Sequence, residues 1–246
     1  MKKKDRIWLY PLITVFILNV SCNKEKDVVI APINFNPTIT YGSTTDQDGN
    51  TYKTVTIGTQ VWMAENLKTT KCIDNTSIPQ VTDNTEWINL NTPGYCWYNN
   101  DADANRAIYG ALYNWHAVNT DKLCPTGWHI PSNAEWITLR TYLGGEDIAG
   151  GKLKETGVSH WQIPDAGATN ESGFTALPGG GRASIGIGFE GKFGGQGIDC
   201  SWWSTTRLNS EPSSPIWGFR INTDNSRLYR SEFYVRDGVN VRCLKD

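Results

Sequence analysis

The chain reads as an α+β protein, and three observations carry that expectation. Apolar residues alternate with polar ones over Tyr52–Ile57, and short apolar runs return after residue 200. A capped segment with helical periodicity lies between them, at 132–143. Gly and Pro (24 and 11 of 246 residues) punctuate the rest. Strands at both ends of one domain of about 200 residues, with helices between, define the α+β pattern.

The elements follow in order. Asp48–Asn50 is a turn, Tyr52–Ile57 a strand, Gly58–Thr59 a turn and Gln60–Met63 another strand, the start of a meander. Residues 72–104 are loop-rich, interrupted by an aromatic strand at Tyr95–Tyr98. Residues 105–119 are predicted as a helix from Ile108, Leu112, Trp115 and the pair Tyr109 and Tyr113. Gly110 weakens that helix by about 1 kcal/mol against Ala. The clearest helix spans 133–143. Ser132 and Glu135 form a capping box, Trp136, Leu139 and Leu143 make an apolar stripe, and Gly144–Gly145 stop it. A short helix is expected over Glu146–Glu155. Gly dominates 156–200, without the Lys-Ser/Thr of a phosphate loop. Strands return at 201–204, 216–221, 226–229 and 239–243.

Composition excludes several classes. Eleven Trp and 20% charged residues are not the composition of a disordered chain. A pI near 5.9 argues against nucleic acid as a partner. Length excludes a disulfide-dense miniprotein.

Residues 1–21 are expected to be a signal peptide. Lys2, Lys3, Lys4 and Arg6 form a basic start, and the apolar run Ile7–Val20 is shorter than the ~20 residues of a membrane span. Ser21–Cys22 at its end resembles a bacterial lipobox, although Asn19 stands where that pattern usually has Leu. Cys22 is the expected lipidation site, and an ordinary signal peptide cleaved elsewhere is the competing reading. Removing residues 1–21 would take four basic residues and one Asp, moving the net charge from −2 to −5. Residues 22–42 are expected to be the lipidated Cys and a flexible tether. Its 23–41 stretch would reach on the order of 65 Å when extended. The domain is expected over 43–246.

Seven segments then come in a specific order: QVWMAENL at Gln60–Leu67, CWYNND at Cys96–Asp101, YGALYNW at Tyr109–Trp115, CPTGWHIP at Cys124–Pro131, GFTALPG at Gly173–Gly179, WWS at Trp202–Ser204 and VRC at Val241–Cys243. Together they resemble the Fibrobacter succinogenes major paralogous domain, a family of secreted proteins and lipoproteins without an established activity. The layout implied by the resemblance is a single C-type-lectin-like domain: short antiparallel strands from both chain ends, two to three helices and long Gly-rich loops. That likeness does not set function.

Cys124 with Cys243 is the expected disulfide. It would tie the entry of the capped helix to the last strand, closing a loop of ~120 residues worth on the order of 4 kcal/mol in the entropy model. Cys96 competes for Cys243, and Cys72 with Cys96 or Cys200 stays open. The five cysteines besides Cys22 cannot all pair within the chain.

Candidate ligand groups are few. The oxygen set of calcium lectins is missing, since Glu211–Pro212 is followed by Ser213 and Trp202–Trp203 by Ser204. Asp101, Asp103 and Asn105 alternate as in calcium loops, against the reading that they cap the following helix. No other cofactor is expected. His116, His129 and His160 lack metal spacing, no catalytic residue is identified, and no Gly-x-Ser-x-Gly occurs. The adjacent pairs Trp97–Tyr98 and Trp202–Trp203 put one ring of each on either strand face. One ring of each pair should therefore face outward, for a sugar or a protein, or lie under the Gly-rich loops. The expectation is an outer-membrane lipoprotein, held to the membrane by its lipid, that binds a glycan or a surface protein. A polysaccharide-acting enzyme and a passive coat component are the competing readings.

Overall fold

The computed structural model describes residues 31–246. The expected signal peptide and Cys22 lie outside the described residues. Residues 31–246 form one compact unit. Its first eleven residues, read from sequence as tether, lie against the domain. The Asn34 side chain donates to the Thr156 carbonyl (3.1 Å), Asn36 donates to the Asn170 carbonyl (2.9 Å), and Phe35, Ile39 and Tyr41 pack on the core.

The first sheet grows from the meander. β1 (Gly42–Thr45), β2 (Thr51–Ile57) and β3 (Gln60–Met63) pair antiparallel through tight turns. Tyr52, Thr54, Val55 and Ile57 of β2 are buried. The sheet is completed from far along the chain, by β6 (Trp128–His129) and β12 (Leu244–Lys245) in the order β1-β2-β3-β12-β6. Cys124 and Cys243 are bonded beside these strands, as expected.

The second sheet is mixed. β7 (Gly179–Arg182), β8 (Phe193–Gln196), β9 (Asp199–Arg207), β10 (Ile216–Asn222) and β11 (Tyr229–Phe233) take the order β11-β10-β9-β7-β8, antiparallel except where β7 meets β9. Gly180, at φ +65°, lets β7 approach β8: a Cβ there would stand 2.5 Å from the Gly194 carbonyl oxygen. A two-stranded ribbon, β4 (Tyr95–Cys96) and β5 (Leu112–Tyr113), lies apart from both.

Five helices are present among the described residues: α1 (Asn84–Asn89), α2 (Ala102–Tyr109), α3 (Trp115–Val118), α4 (Asn133–Tyr142) and α5 (Glu146–Leu153). This corrects the expected lectin-like layout with two to three helices: the chain builds two separate five-stranded sheets and five helices. The expected helix 105–119 is two helices with β5 between them. Gly110 turns to φ +72°, and the freed Tyr109 carbonyl accepts from the side chains of Asn66 and Asn240 instead (2.9 and 3.0 Å). α1, inside a stretch read as loop, is capped by Asp83, whose carboxylate accepts from the Glu86 amide. The strand expected at 239–243 forms only single bridges, Tyr113 to Val239 and Trp202 to Asn240. α4 keeps the expected capping box.

Candidate functional site

β9 has two faces with different cover. Cys200 and Trp202 point into a core shared with Trp136 and Phe174. Trp203 points the other way, against Ile216, Val239 and Phe233. Asp199 and Ser201 share that second face, Ser201 buried and Asp199 half-buried. With Arg220 of β10 they line a cleft of about 340 Å³. Its walls are the loop after β7, with Ile185 and Phe189, and the segment that follows β11, with Tyr234 and Gly238.

The cleft is built by side chains that hold its walls. Arg182 is buried, and its guanidinium donates to the carbonyls of Gly191 (2.8 Å), Val81 (2.8 Å) and Thr82 (3.0 Å) and to Oδ1 of Asn84 (2.9 Å). It stands over the rings of Trp87 and Phe193 (4.6 and 4.7 Å to the centroids), which fixes the loop against α1. Asp237 joins the two walls. One oxygen accepts from the Ser184 amide and hydroxyl (2.9 and 2.7 Å), the other from the Tyr234 amide (2.8 Å). Burial raises the Asp237 carboxyl, against the pull of those three donors.

Asp199 and Arg220 meet at 2.7 Å on the cleft floor. Burial pushes the Asp199 carboxyl up, and the guanidinium only partly offsets it. A planar cation beside a partly desolvated carboxyl supplies both donors and acceptors to a bound hydroxyl group. Phe189 and Tyr234 are exposed at 67% and 45%, so ring faces stand at the rim. The cleft residues carry three cations (Arg182, Lys192, Arg220) and three anions (Asp199, Glu232, Asp237), so no sign of charge dominates. A larger cleft of about 470 Å³, lined by Ile78, Pro79 and Pro93 with Thr and Ser side chains, carries the Asp74–Lys122 pair as its charged lining residues.

The residues singled out from sequence lie elsewhere. Trp97, Tyr98, Trp202 and Trp203 are all buried, so none offers a ring face to solvent. The sheet is covered on both sides, and alternation therefore sends each member of the Trp202–Trp203 pair into a core. Asp101 caps α2, accepting from the Ala104 amide at 3.0 Å. Asn105 is buried: its amide donates to the carbonyls of Tyr98 and Asp101, and its oxygen accepts from Gln196. Asp103 is exposed. The Asp101 and Asn105 oxygens are thus spent on the Ala104 amide and on Gln196, and the three side chains are not gathered as calcium ligands. No group of three His, Cys, Asp or Glu is placed to hold a metal ion among the described residues.

Cys72, Cys96 and Cys200 are free and buried. Burial raises all three thiols, Cys96 to about 12, which keeps them protonated and unreactive. His129 bridges Asp246 (2.7 Å) and Glu135 (2.9 Å), and His160 binds Glu155 (2.7 Å). Burial lowers His116, with help from Arg236 and Arg207. Sequence reasoning missed Asp199, Arg220 and Tyr234. Asp199 and Arg220 stand on neighbouring strands outside every motif, and only their adjacency makes a site. No helix among the described residues is long and apolar enough to cross a membrane.

No curated protein and no solved structure matches the chain. The model of the Fibrobacter succinogenes major domain matches residues 55–245, which take in β3, the disulfide and the whole cleft. The chain belongs to the Fibrobacter succinogenes major domain family.

Proposed function

We propose that the protein is an envelope lipoprotein, anchored through Cys22, whose domain binds a neutral glycan in the cleft over the mixed sheet. The Asp199–Arg220 pair, set between the exposed rings of Phe189 and Tyr234, carries this reading. Sugar rings offer hydroxyls on their edges and C–H groups on their faces. Planar polar side chains pair with the first, and aromatic rings cover the second. The equal numbers of cleft cations and anions favour an uncharged ligand. The volume lies at the low end of the ~300–1,000 Å³ of small-ligand sites, which suits one or two sugar units. Exposed Ile187, on the same loop, favours a second reading, contact with a protein.

A glycan array on the 31–246 unit, run with and without a calcium chelator, tests the proposal. Binding should persist in chelator and fall at least tenfold in Arg220→Ala and Tyr234→Ala. Retention of no glycan, or binding untouched by both substitutions, would discard it. Titration of Cys22→Ser against wild type in membrane fractions tests the anchor.

A further inference from the structure

Residues 31–36 are strapped to the domain by a small buried cluster. Nδ1 of His160 lies 2.7 Å from Oε2 of Glu155, and Nε2 lies 3.1 Å from the carbonyl oxygen of Ala31. The other oxygen of the same carboxylate, Oε1, accepts from the Asn34 amide at 2.6 Å. Both His160 and Glu155 are buried. Both ring nitrogens therefore face atoms that only accept. A neutral imidazole has one N–H and cannot satisfy both, whereas the imidazolium can.

We propose that His160 and Glu155 form a pH-operated clasp on the segment that leads into the domain. With the proton present, the imidazolium holds the Ala31 carbonyl and the Glu155 carboxylate, and that carboxylate holds Asn34. Loss of the proton sets a nitrogen lone pair against one of the two oxygens. The contact then repels, and the start of the strap comes away.

The surroundings leave His160 as the group that switches. Tyr109 meets its ring edge-on at 5.9 Å, and its phenol is pushed up to about 12 by burial and then by the Glu155 charge, so it stays neutral. The next charges, Lys154 and Asp165, are 3.2 Å apart, and the Lys154 ammonium also donates to the carbonyls of Ala166, Asn222 and Asn225. Burial alone would lower His160. The hydrogen bond and charge of Glu155, with the Ala31 carbonyl, outweigh it and raise the imidazole above its usual 6.5. A raised folded-state value means that the clasp is fully formed below 6.5 and is lost as pH rises through that higher value. Freeing residues 31–34, up to Phe35 on the core and Asn36 on the Asn170 carbonyl, would lengthen the free lead into the domain by about 13 Å.

Amide hydrogen exchange on the full-length chain, corrected for intrinsic rates from pH 6 to 9, tests the clasp, with the His160 imidazole followed by NMR in parallel. The Asn34 amide should lose at least tenfold protection in step with a His160 titration centred above 6.5. The Trp203 amide, bonded to the Asn240 carbonyl, should keep its protection. His160→Gln should leave the strap loose at every pH. The clasp is refuted if Asn34 protection is flat with pH, if it changes together with Trp203, or if His160 titrates below 6.5. The wild-type comparison decides the matter alone should the variant not fold.

Discussion

Trp136 of α4 lies stacked on Trp202 of β9, with centroids 5.6 Å apart and planes inclined by 28°. Phe174 meets both rings edge-on, and Phe219, the cross-strand neighbour of Trp202, also stacks on Trp136. The stripe of the capped helix thus packs straight onto the mixed sheet. Its aromatic contacts add to area burial, each pair worth ~0.5–1.5 kcal/mol beyond it. Trp202→Ala should cost about 3–5 kcal/mol, since a fully buried ring leaves a cavity that the surrounding sheet cannot close. Denaturant unfolding measures this. A double-mutant cycle with Trp136→Ala should return a coupling of about 1 kcal/mol. A coupling of zero would place the two rings in independent environments.

Arg242 sits behind the same cluster, fully buried, over the Phe174 ring at 4.1 Å. Its guanidinium donates to Oδ1 of Asn66 (2.9 Å) and to the carbonyls of Met63 (3.3 Å), Phe174 and Thr175 (2.9 Å). Burial pushes it down to about 9. Four acceptors depend on one fork, so Arg242→Met should destabilise by about 3–5 kcal/mol. Arg242→Lys should rescue little, because an ammonium cannot reach four points of a planar fork. Full rescue by Lys, read from chemical denaturation, would contradict this arrangement.

His129 gives the stability a pH window. Burial alone would lower the imidazole, but Asp246 and Glu135 outweigh it and raise it; Glu135 is lowered despite its burial by the Ser132 amide, His129 and the Ser132 hydroxyl. The raised imidazole contributes below about 6.5 and is lost as pH climbs through its folded value. The lowered carboxyl contributes above its usual range and is lost as pH falls through its folded value. Tm should therefore sag at both ends. His129→Gln should flatten the alkaline limb, and an unchanged limb would show that the bridge is spent in solvent.

Asp101 separates capping from calcium. Asp101→Ala should lower stability by about 1 kcal/mol through loss of the α2 cap. Isothermal titration with calcium should show no heat in wild type or variant. Heat in the wild type that the variant lacks would reinstate the metal.

Local features were legible in the sequence. Ser132 and Glu135 cap α4 because a capping box needs only residues three apart. Tyr52–Ile57 alternates because one side of its sheet is buried. Features set by tertiary partners were not. Nothing near Gly110 in sequence announces that Asn66 and Asn240 take the Tyr109 carbonyl and so end α2. Asp83 and Glu86 are a cap signal hidden in a polar stretch, with Trp87 as the single buried residue of α1. Adjacent tryptophans state that two faces exist, but not that both are covered. The cleft needs the register that sets Ser201 against Arg220 and Asp199 against Asn222, and that register follows from strand order.

β12 lies between β3 and β6, and its Leu244 pairs with Trp62. The partner of the meander is therefore synthesised about 180 residues after it. At roughly 5–20 residues per second, the edge of β3 waits some 10–40 s with its hydrogen-bonding groups open. So non-local a pairing also slows folding once the chain is whole, since a long loop must close before the contact is made. The nascent meander is thus the segment for which a chaperone would be most useful.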